Sequence, residues 1–93
     1  MENNLHEPIT VTADFFPIPK KTKQKSPRCI PKSFKLSNGR EVFITEIGLI
    51  HPRFDGLKTH FLFDVTDDVN DYRISFDTET LEWFLEWEGD SDV

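Results

Sequence analysis

The densest group of side chains that could bind a metal ion lies between residues 64 and 71. Asp64, Asp67, Asp68 and Asp71 place four carboxylates within eight residues. Oxygen-rich loops bind calcium, but the helix-flanked calcium loop needs acids at alternate positions and a central glycine. This stretch has neither feature, and aspartate and asparagine also favour turns by bonding to their own backbone. We therefore predict a solvated turn here rather than a metal site.

Histidine, cysteine and serine suggest no clearer chemistry. His6, His51 and His60 have no spacing that suits a metal ion, and the single cysteine, Cys29, stands apart from them. A zinc site needs three or four converging ligands, and a nucleophile needs an adjacent base to activate it. We therefore expect no catalytic residue, no metal ion and no cofactor, and we expect that the protein is not an enzyme.

Basic and acidic residues are segregated along the chain, and this segregation is the main indication of function. Between residues 20 and 40 there are eight basic side chains and no acid. These basic residues are Lys20, Lys21, Lys23, Lys25, Arg28, Lys32, Lys35 and Arg40. Residues 41–93 contain fourteen acids against three basic residues, which gives a net charge of −11. A basic segment is thus attached to an acidic body, and such fields govern encounter with charged partners rather than the fold.

Size and composition limit the class of protein. The 93 residues carry a formal net charge of −6, which argues against general affinity of the whole molecule for nucleic acid. No apolar run approaches the roughly 20 residues that a membrane-spanning helix requires. The residues after Met1 do not resemble a signal segment, and one cysteine excludes an internal disulfide. We expect a soluble cytoplasmic protein with no membrane partner.

The first third of the chain differs from the rest. Residues 1–32 contain five of the six prolines, and proline disfavours regular structure around it. Between residues 20 and 32 few apolar side chains are present to offset the entropy of ordering. We therefore predict an extended, largely disordered Pro-rich and basic arm at 1–32 and a β domain at 33–93. The apolar anchors within 9–18 fit either the second face of the sheet or the edge strand of a partner; we favour docking on the chain's own sheet or on a second copy.

After residue 33 apolar residues recur at every second position, which is typical of strands with one buried face. We predict five strands, at 33–37, 40–48, 59–66, 71–77 and 81–88. The inward-facing residues of the last three strands are predicted to be Phe61, Phe63, Val65, Tyr72, Ile74, Phe76, Leu81, Trp83, Leu85 and Trp87. Consecutive antiparallel strands usually lie side by side. The predicted fold is therefore all-β, a small five-stranded antiparallel meander that forms either an open sheet or an SH3-like barrel.

The connections between these strands can also be predicted. Ser37-Asn38-Gly39 is a strong turn signal. A three-residue loop with Gly39 in the left-handed region would pair Lys35 with Glu41 and leave the neighbouring apolar residues on one face. Residues 51–58 form the longest predicted loop, and Gly48 marks a possible bulge before it. For residues 80–88 we favour a strand over a helix, because a helix would separate the two tryptophans from the other apolar side chains.

These patterns predict a small interaction module, an adaptor or regulator that binds another protein with a basic surface. Leu62 and Phe84 would supply the apolar centre of the contact, since a few large anchors carry most binding energy. Glu82, Glu86 and Glu88 would steer the basic partner and raise its rate of association. A homodimer is a further possibility.

Two alternative functions remain open from the sequence. In the first, the basic arm binds nucleic acid by releasing counterions from the phosphate backbone. The residues that would do so are Lys20, Lys21, Lys23, Lys25 and Arg28. The arm has no interleaved aromatic residue on which bases could stack. In the second, the clustered acids imitate DNA and occupy a nucleic-acid-binding protein.

Overall fold

A computed structural model describes residues 3–15, 29–56 and 58–90. These residues form seven strands and no helix: β1 (Asn3–Phe15), β2 (Cys29–Lys35), β3 (Glu41–Phe43), β4 (Glu46–Asp55), β5 (Lys58–Thr66), β6 (Asn70–Asp77) and β7 (Trp83–Asp90). The strands make one sheet in the order β3-β2-β1-β7-β6-β5-β4, and all neighbours are antiparallel. The prediction of an all-β antiparallel fold is confirmed. The predicted number of five strands is wrong.

The sheet is open and curled, and Ile44 and Thr45 connect its two edge strands. Strands β3 and β4 lie at opposite ends of the sheet order, yet only these two residues separate them. The backbone N–H of Ile44 donates to the carbonyl of Lys32 in β2 at 2.9 Å, and that of Thr45 donates to the carbonyl of Thr66 in β5 at 2.9 Å. The chain therefore crosses from one edge to the other here. This crossing divides the predicted strand 40–48 into β3 and β4.

Strand β1 corrects the prediction of a largely disordered arm over residues 1–32. Residues 3–15 are extended, as predicted, but they pair with β7 through their first half and with β2 through their second half. Ile9, Val11 and Ala13 pack against the core. The apolar anchors up to Phe15 thus join the sheet by backbone pairing instead of lying across its second face. Residues 16–28, which include most of the basic arm, lie outside the described residues.

The presence of a proline misled the prediction for β1. Pro8 lies opposite Phe84 of β7, although proline within a sheet is normally confined to edges and bulges. The register between β1 and β7 shifts between Asn4 and Glu7, directly before Pro8. This irregularity places the proline beside a break in the regular ladder, where a missing backbone donor is tolerated.

The core lies on one face of strands β5, β6 and β7 and is closed by β2 and β3. Its buried apolar residues are Cys29, Phe34, Leu36, Val42, Phe61, Phe63, Val65, Tyr72, Ile74, Phe76, Trp83 and Leu85. The ring of Phe34 meets that of Tyr72 edge to face at 5.3 Å, and Phe76 contacts Trp83 at 4.5 Å between ring centroids. Pairs of this kind stabilise a small core beyond the area that they bury. The predicted alternation is confirmed for these positions of β5 and β6.

The hairpin between β2 and β3 has the predicted three-residue loop. Leu36 donates to the carbonyl of Arg40 at 2.8 Å, and Gly39 donates to the carbonyl of Leu36 at 2.9 Å. Gly39 has a φ of +91°, in the region where glycine has no steric penalty. Lys35 pairs with Glu41, as predicted.

The predicted loop at 51–58 is instead a hairpin. Strand β4 continues to Asp55, which pairs with Lys58. Gly56 directly follows Asp55 in the turn and has a φ of +63°, in the region where glycine has no steric penalty. The register between β4 and β5 shifts between Ile47 and Ile50. This shift confirms the predicted bulge at Gly48.

Candidate functional site

A groove of about 1300 Å³ covers the face of β4–β7 that points away from the core. Along much of β5 and β6 the side chains that line it alternate with those of the core. In β5, His60, Leu62 and Asp64 face the groove, while Phe61 and Phe63 between them are buried. An antiparallel sheet commonly has one face packed on the core and the other facing solvent. The groove is that second face.

A short apolar row forms the floor of the groove. Ser75 of β6 pairs with Phe84 of β7 on one side and with Leu62 of β5 on the other, so the three side chains share a face. Ser75 is buried between the two larger residues. The ring of His6 from β1 stacks on Phe84 at 4.2 Å with an interplanar angle of 10°. His6 therefore bounds the apolar row at β1.

A bulge in β7 decides which later residues face the groove. Leu85 pairs with Ile74 and Trp87 pairs with Arg73, so Glu86 is an extra residue without a partner in the ladder. The extra residue reverses the alternation beyond it. Trp87 consequently lines the groove beside Arg73 and does not face inward as predicted.

The same bulge moves Glu88 away from the surface on which it was predicted. Glu88 pairs with the buried Tyr72, which places its side chain on the core side of the sheet. Its carboxylate accepts a hydrogen bond from the Arg40 guanidinium at 2.8 Å. This hydrogen bond raises the pKa of Arg40. Leu81, also predicted to face inward, is 65% exposed and has a φ of +63° in the turn before β7.

Glu86 is held in the groove by two neighbours. Ser75 donates its hydroxyl hydrogen to Glu86 Oε2 at 2.7 Å, and His6 Nδ1 donates to Glu86 Oε1 at 2.9 Å. A catalytic serine would instead be bonded to the imidazole that takes its proton. In this arrangement the carboxylate accepts from both groups and fixes the orientation of His6.

Asp64 is paired on both sides. Arg73 Nε donates to Asp64 Oδ1 at 2.7 Å, and His51 Nε2 donates to Asp64 Oδ2 at 3.1 Å. Partial burial of Asp64 opposes its ionisation, but the hydrogen bonds from Arg73 and His51 outweigh this effect and lower its pKa. The Asp64 carboxylate therefore stays charged, and the positive charge of Arg73 partly neutralises its field.

Asp77 and Glu82 lie on the opposite side of the apolar row. The backbone N–H groups of Glu79 and Thr80 donate to Asp77 Oδ1 at 2.8 and 3.2 Å. The bond from Glu79 is the main cause of a lowered pKa at Asp77. His60 Nδ1 lies 4.0 Å from Asp77 Oδ2. Within residues 3–15, 29–56 and 58–90, Glu82 makes no ion pair, so its charge faces the groove uncompensated.

The lining of the groove is acidic as a whole. It includes six carboxylates against two guanidinium groups. The acids are Glu46, Asp64, Asp71, Asp77, Glu82 and Glu86, and the basic residues are Arg53 and Arg73. Clefts lined by one sign of charge concentrate counter-ions and ligands of the opposite sign. The groove is thus suited to a cationic ligand with an apolar part.

The structure brings together four of the five predicted contact residues. Leu62, Glu82, Phe84 and Glu86 all line the groove, and Glu88 does not. Sequence reasoning missed Asp64, Arg73 and Asp77, although the alternation in β5 and β6 places them on this face. It also missed His6, because no strand was predicted for that part of the chain.

In the Asp-rich turn between β5 and β6, the carboxylates of Asp67 and Asp68 accept hydrogen bonds from nearby backbone and side-chain groups. Asp67 Oδ1 accepts from the backbone N–H of Val69 at 3.0 Å and of Asn70 at 2.7 Å. Burial opposes ionisation of Asp67, but these hydrogen bonds outweigh it and lower its pKa. Thr45 Oγ1 donates to Asp68 Oδ1 at 3.0 Å. In the described part of the chain, no group of three or more His, Cys, Asp or Glu side chains is placed to hold a metal ion.

Of the eight basic residues between 20 and 40, five lie at 20–28, and Lys32, Lys35 and Arg40 lie among the described residues. Residues 20–28 lie outside the described residues, so Lys20, Lys21, Lys23, Lys25 and Arg28 remain candidates from sequence alone. Lys32 in β2 lies 3.6 Å from Asp14 of β1, and Arg40 bonds to Glu88. Lys32 and Arg40 therefore form ion pairs with acidic residues of the same sheet.

Comparisons with protein families, curated proteins and solved structures give no match to this chain. None of the described residues belongs to a helix that is long and apolar enough to cross a membrane.

Proposed function

We propose that the protein is a non-enzymatic interaction module that binds a basic segment of another protein in the groove on β4–β7. The observation that carries this proposal is the apolar row of Phe84, Ser75 and Leu62 with carboxylates on both of its sides. A ligand with both apolar and cationic side chains would satisfy both parts of this surface.

The apolar row supplies the anchoring part of the contact. Phe84 and Leu62 are each only partly buried, so both are accessible to an apolar side chain of a ligand. Binding energy at interfaces is concentrated in a few desolvated anchors near the centre. Truncating Phe84 should therefore cost more affinity than any single change at the rim.

The carboxylates supply attraction and selectivity. Charges at the rim of a contact act mainly on the association rate, and their effect falls as salt screens them. Glu82 has no ion-pair partner among the described residues, and Glu86 lies at the edge of the apolar row. These two acids are the natural targets for a test.

An NMR titration tests the proposal directly. The probe is a short peptide composed of Lys, Arg and Leu, and the control peptide replaces each cation with Glu. We expect the basic peptide alone to shift the amide resonances of Leu62, Ser75 and Phe84. The Glu82→Gln/Glu86→Gln variant should weaken binding and its salt dependence, whereas Glu41→Gln/Asp14→Asn, which removes two exposed acids outside the groove, should not. Absence of shifts in the groove, or equal binding by both variants, would contradict the proposal.

The nucleic-acid alternative makes a different prediction. Replacing Lys20, Lys21, Lys23, Lys25 and Arg28 with Ser keeps the length of the connection between β1 and β2. Retention of the protein on heparin that this variant loses would favour the arm as the binding element. Binding of the basic peptide that survives the same change would favour the groove.

A further inference from the structure

The outward side chains of β5 define the width of the groove. His60, Leu62 and Asp64 occupy successive groove-facing positions, with the apolar row passing through Leu62. Four residues of an antiparallel strand span about 14 Å. The two borders of the groove are therefore separated by slightly more than the diameter of an α-helix with its side chains, about 10–12 Å.

Charge is distributed on both borders of the apolar row. Glu86, Arg73 and Asp64 lie on one border, where Arg73 is bonded to Asp64, and Glu82, Asp77 and His60 lie on the other. The row itself runs across the strands, from Phe84 to Leu62. A ligand that lies along this row meets carboxylates on both of its sides, with Arg73 between Asp64 and Glu86 on one of them.

This arrangement distinguishes between an extended and a helical ligand. Successive side chains of a strand point to opposite faces, so an extended peptide presents a single row of side chains to the groove. An amphipathic helix presents an apolar stripe with polar residues along both of its borders. Only the helical pattern places cations against both acidic borders while its apolar residues contact the central row.

We infer that the basic segment bound by the groove is an amphipathic α-helix with Lys or Arg on both borders of its apolar stripe. The four strands β4–β7 span about 14 Å across the sheet, since neighbouring strands lie about 4.8 Å apart. At 1.5 Å per residue this distance corresponds to about ten residues, or nearly three turns. The inference rests on the proposed function, because it specifies the ligand of the same groove.

Three peptides of nearly identical composition test the inference. The first places Leu at positions i, i+3, i+4 and i+7 with Lys on both borders, the second has the same residues in strict alternation, and the third is the first with one central proline. Affinity is measured by isothermal titration calorimetry, and helicity of the bound peptide by NMR. We expect the first peptide to become helical on binding and to bind about tenfold more tightly than the alternating one. The proline variant should bind about a hundredfold more weakly than the first, because proline disrupts a helix interior.

The outcomes separate this inference from the function on which it rests. Equal affinity of the helical and alternating peptides, with both weakened by Glu82→Gln/Glu86→Gln, would overturn the helical ligand and leave the groove as a binding site. Failure of all three peptides to bind would overturn both. The Phe84→Ala variant, with its fold checked by circular dichroism, should lose most affinity for the first peptide, and Glu41→Gln/Asp14→Asn should retain it.

Discussion

The indole of Trp87 lies directly over Gly89, so that a Cβ atom on Gly89 would come within 2.5 Å of the Trp87 ring. Both residues follow the bulge at Glu86 and share the groove-facing side of β7. The missing side chain at Gly89 therefore gives Trp87 its place at the end of the groove.

Replacing Gly89 with Ala should displace the indole of Trp87. The contacting atoms belong to the outer end of the Trp87 ring, which is only partly buried and can turn away. We expect a stability loss of about 1 kcal/mol, at the low end for overpacking. The indole N–H resonance should shift strongly for Trp87 and little for the buried Trp83. Unchanged resonances for both tryptophans would contradict the placement of Trp87.

Glu88 and Glu82 should behave as a contrasting pair. Glu88 bonds to Arg40 on the core side of the sheet, whereas Glu82 lines the groove. We expect Glu88→Gln to lower the free energy of unfolding without affecting peptide binding. Glu82→Gln should weaken peptide binding without changing the free energy of unfolding. In a double-mutant cycle with Arg40→Ala, the coupling to Glu88 should be about 0.5 kcal/mol, typical of a partly exposed ion pair. A cycle between Arg40 and Glu82 should give no coupling.

Acid should destabilise the protein through Asp64, Asp67 and Asp77. The pKa of each is lowered in the folded state. Their stabilising effect is therefore complete above the usual aspartate pKa of about 3.9 and is lost as the pH falls through the lower folded values. Thermal unfolding followed between neutral pH and about pH 2 should show its steepest loss of stability below about pH 4.

The Asp64→Asn variant tests the contribution of one of these groups. We expect it to be less stable at neutral pH, because Arg73 and His51 lose their charged partner. Its stability should also fall less than that of the unmodified protein over the same acidic range, since the amide at position 64 takes up no proton as the pH falls. An identical pH profile for the two proteins would contradict the pairing at Asp64.

Cys29 should be inert in the folded protein. Its side chain is 1% exposed, and burial raises the pKa of the thiol to about 11. Because the thiolate is the reactive form, alkylation at pH 8 should be slow in buffer and rapid in denaturant. The rate in buffer should follow the unfolding equilibrium as temperature is raised. Fast labelling of the native protein would show that β2 begins in a more open environment.

Much of the candidate site could be predicted from local pattern. The alternation in β5 and β6 correctly placed Leu62 on the face opposite the core, and the same rule applied to its polar neighbours would have located Asp64 and Asp77. The contributions of His6 and Trp87 could not be predicted in this way. His6 belongs to a strand whose pairing partners are distant in the chain, and Trp87 faces the groove only because β7 contains a bulge.

The sequence by itself determined the all-β class, the turn at Gly39, the bulge at Gly48 and the acidic character of the exposed face. These features depend on side-chain alternation, on backbone preference and on composition, all of which act over a few residues. Only the tertiary structure decided that β1 lies between β7 and β2 and that Glu88 turns towards Arg40. Both outcomes depend on register between segments far apart in the chain, and a single extra residue in one strand reverses the face of every side chain that follows it.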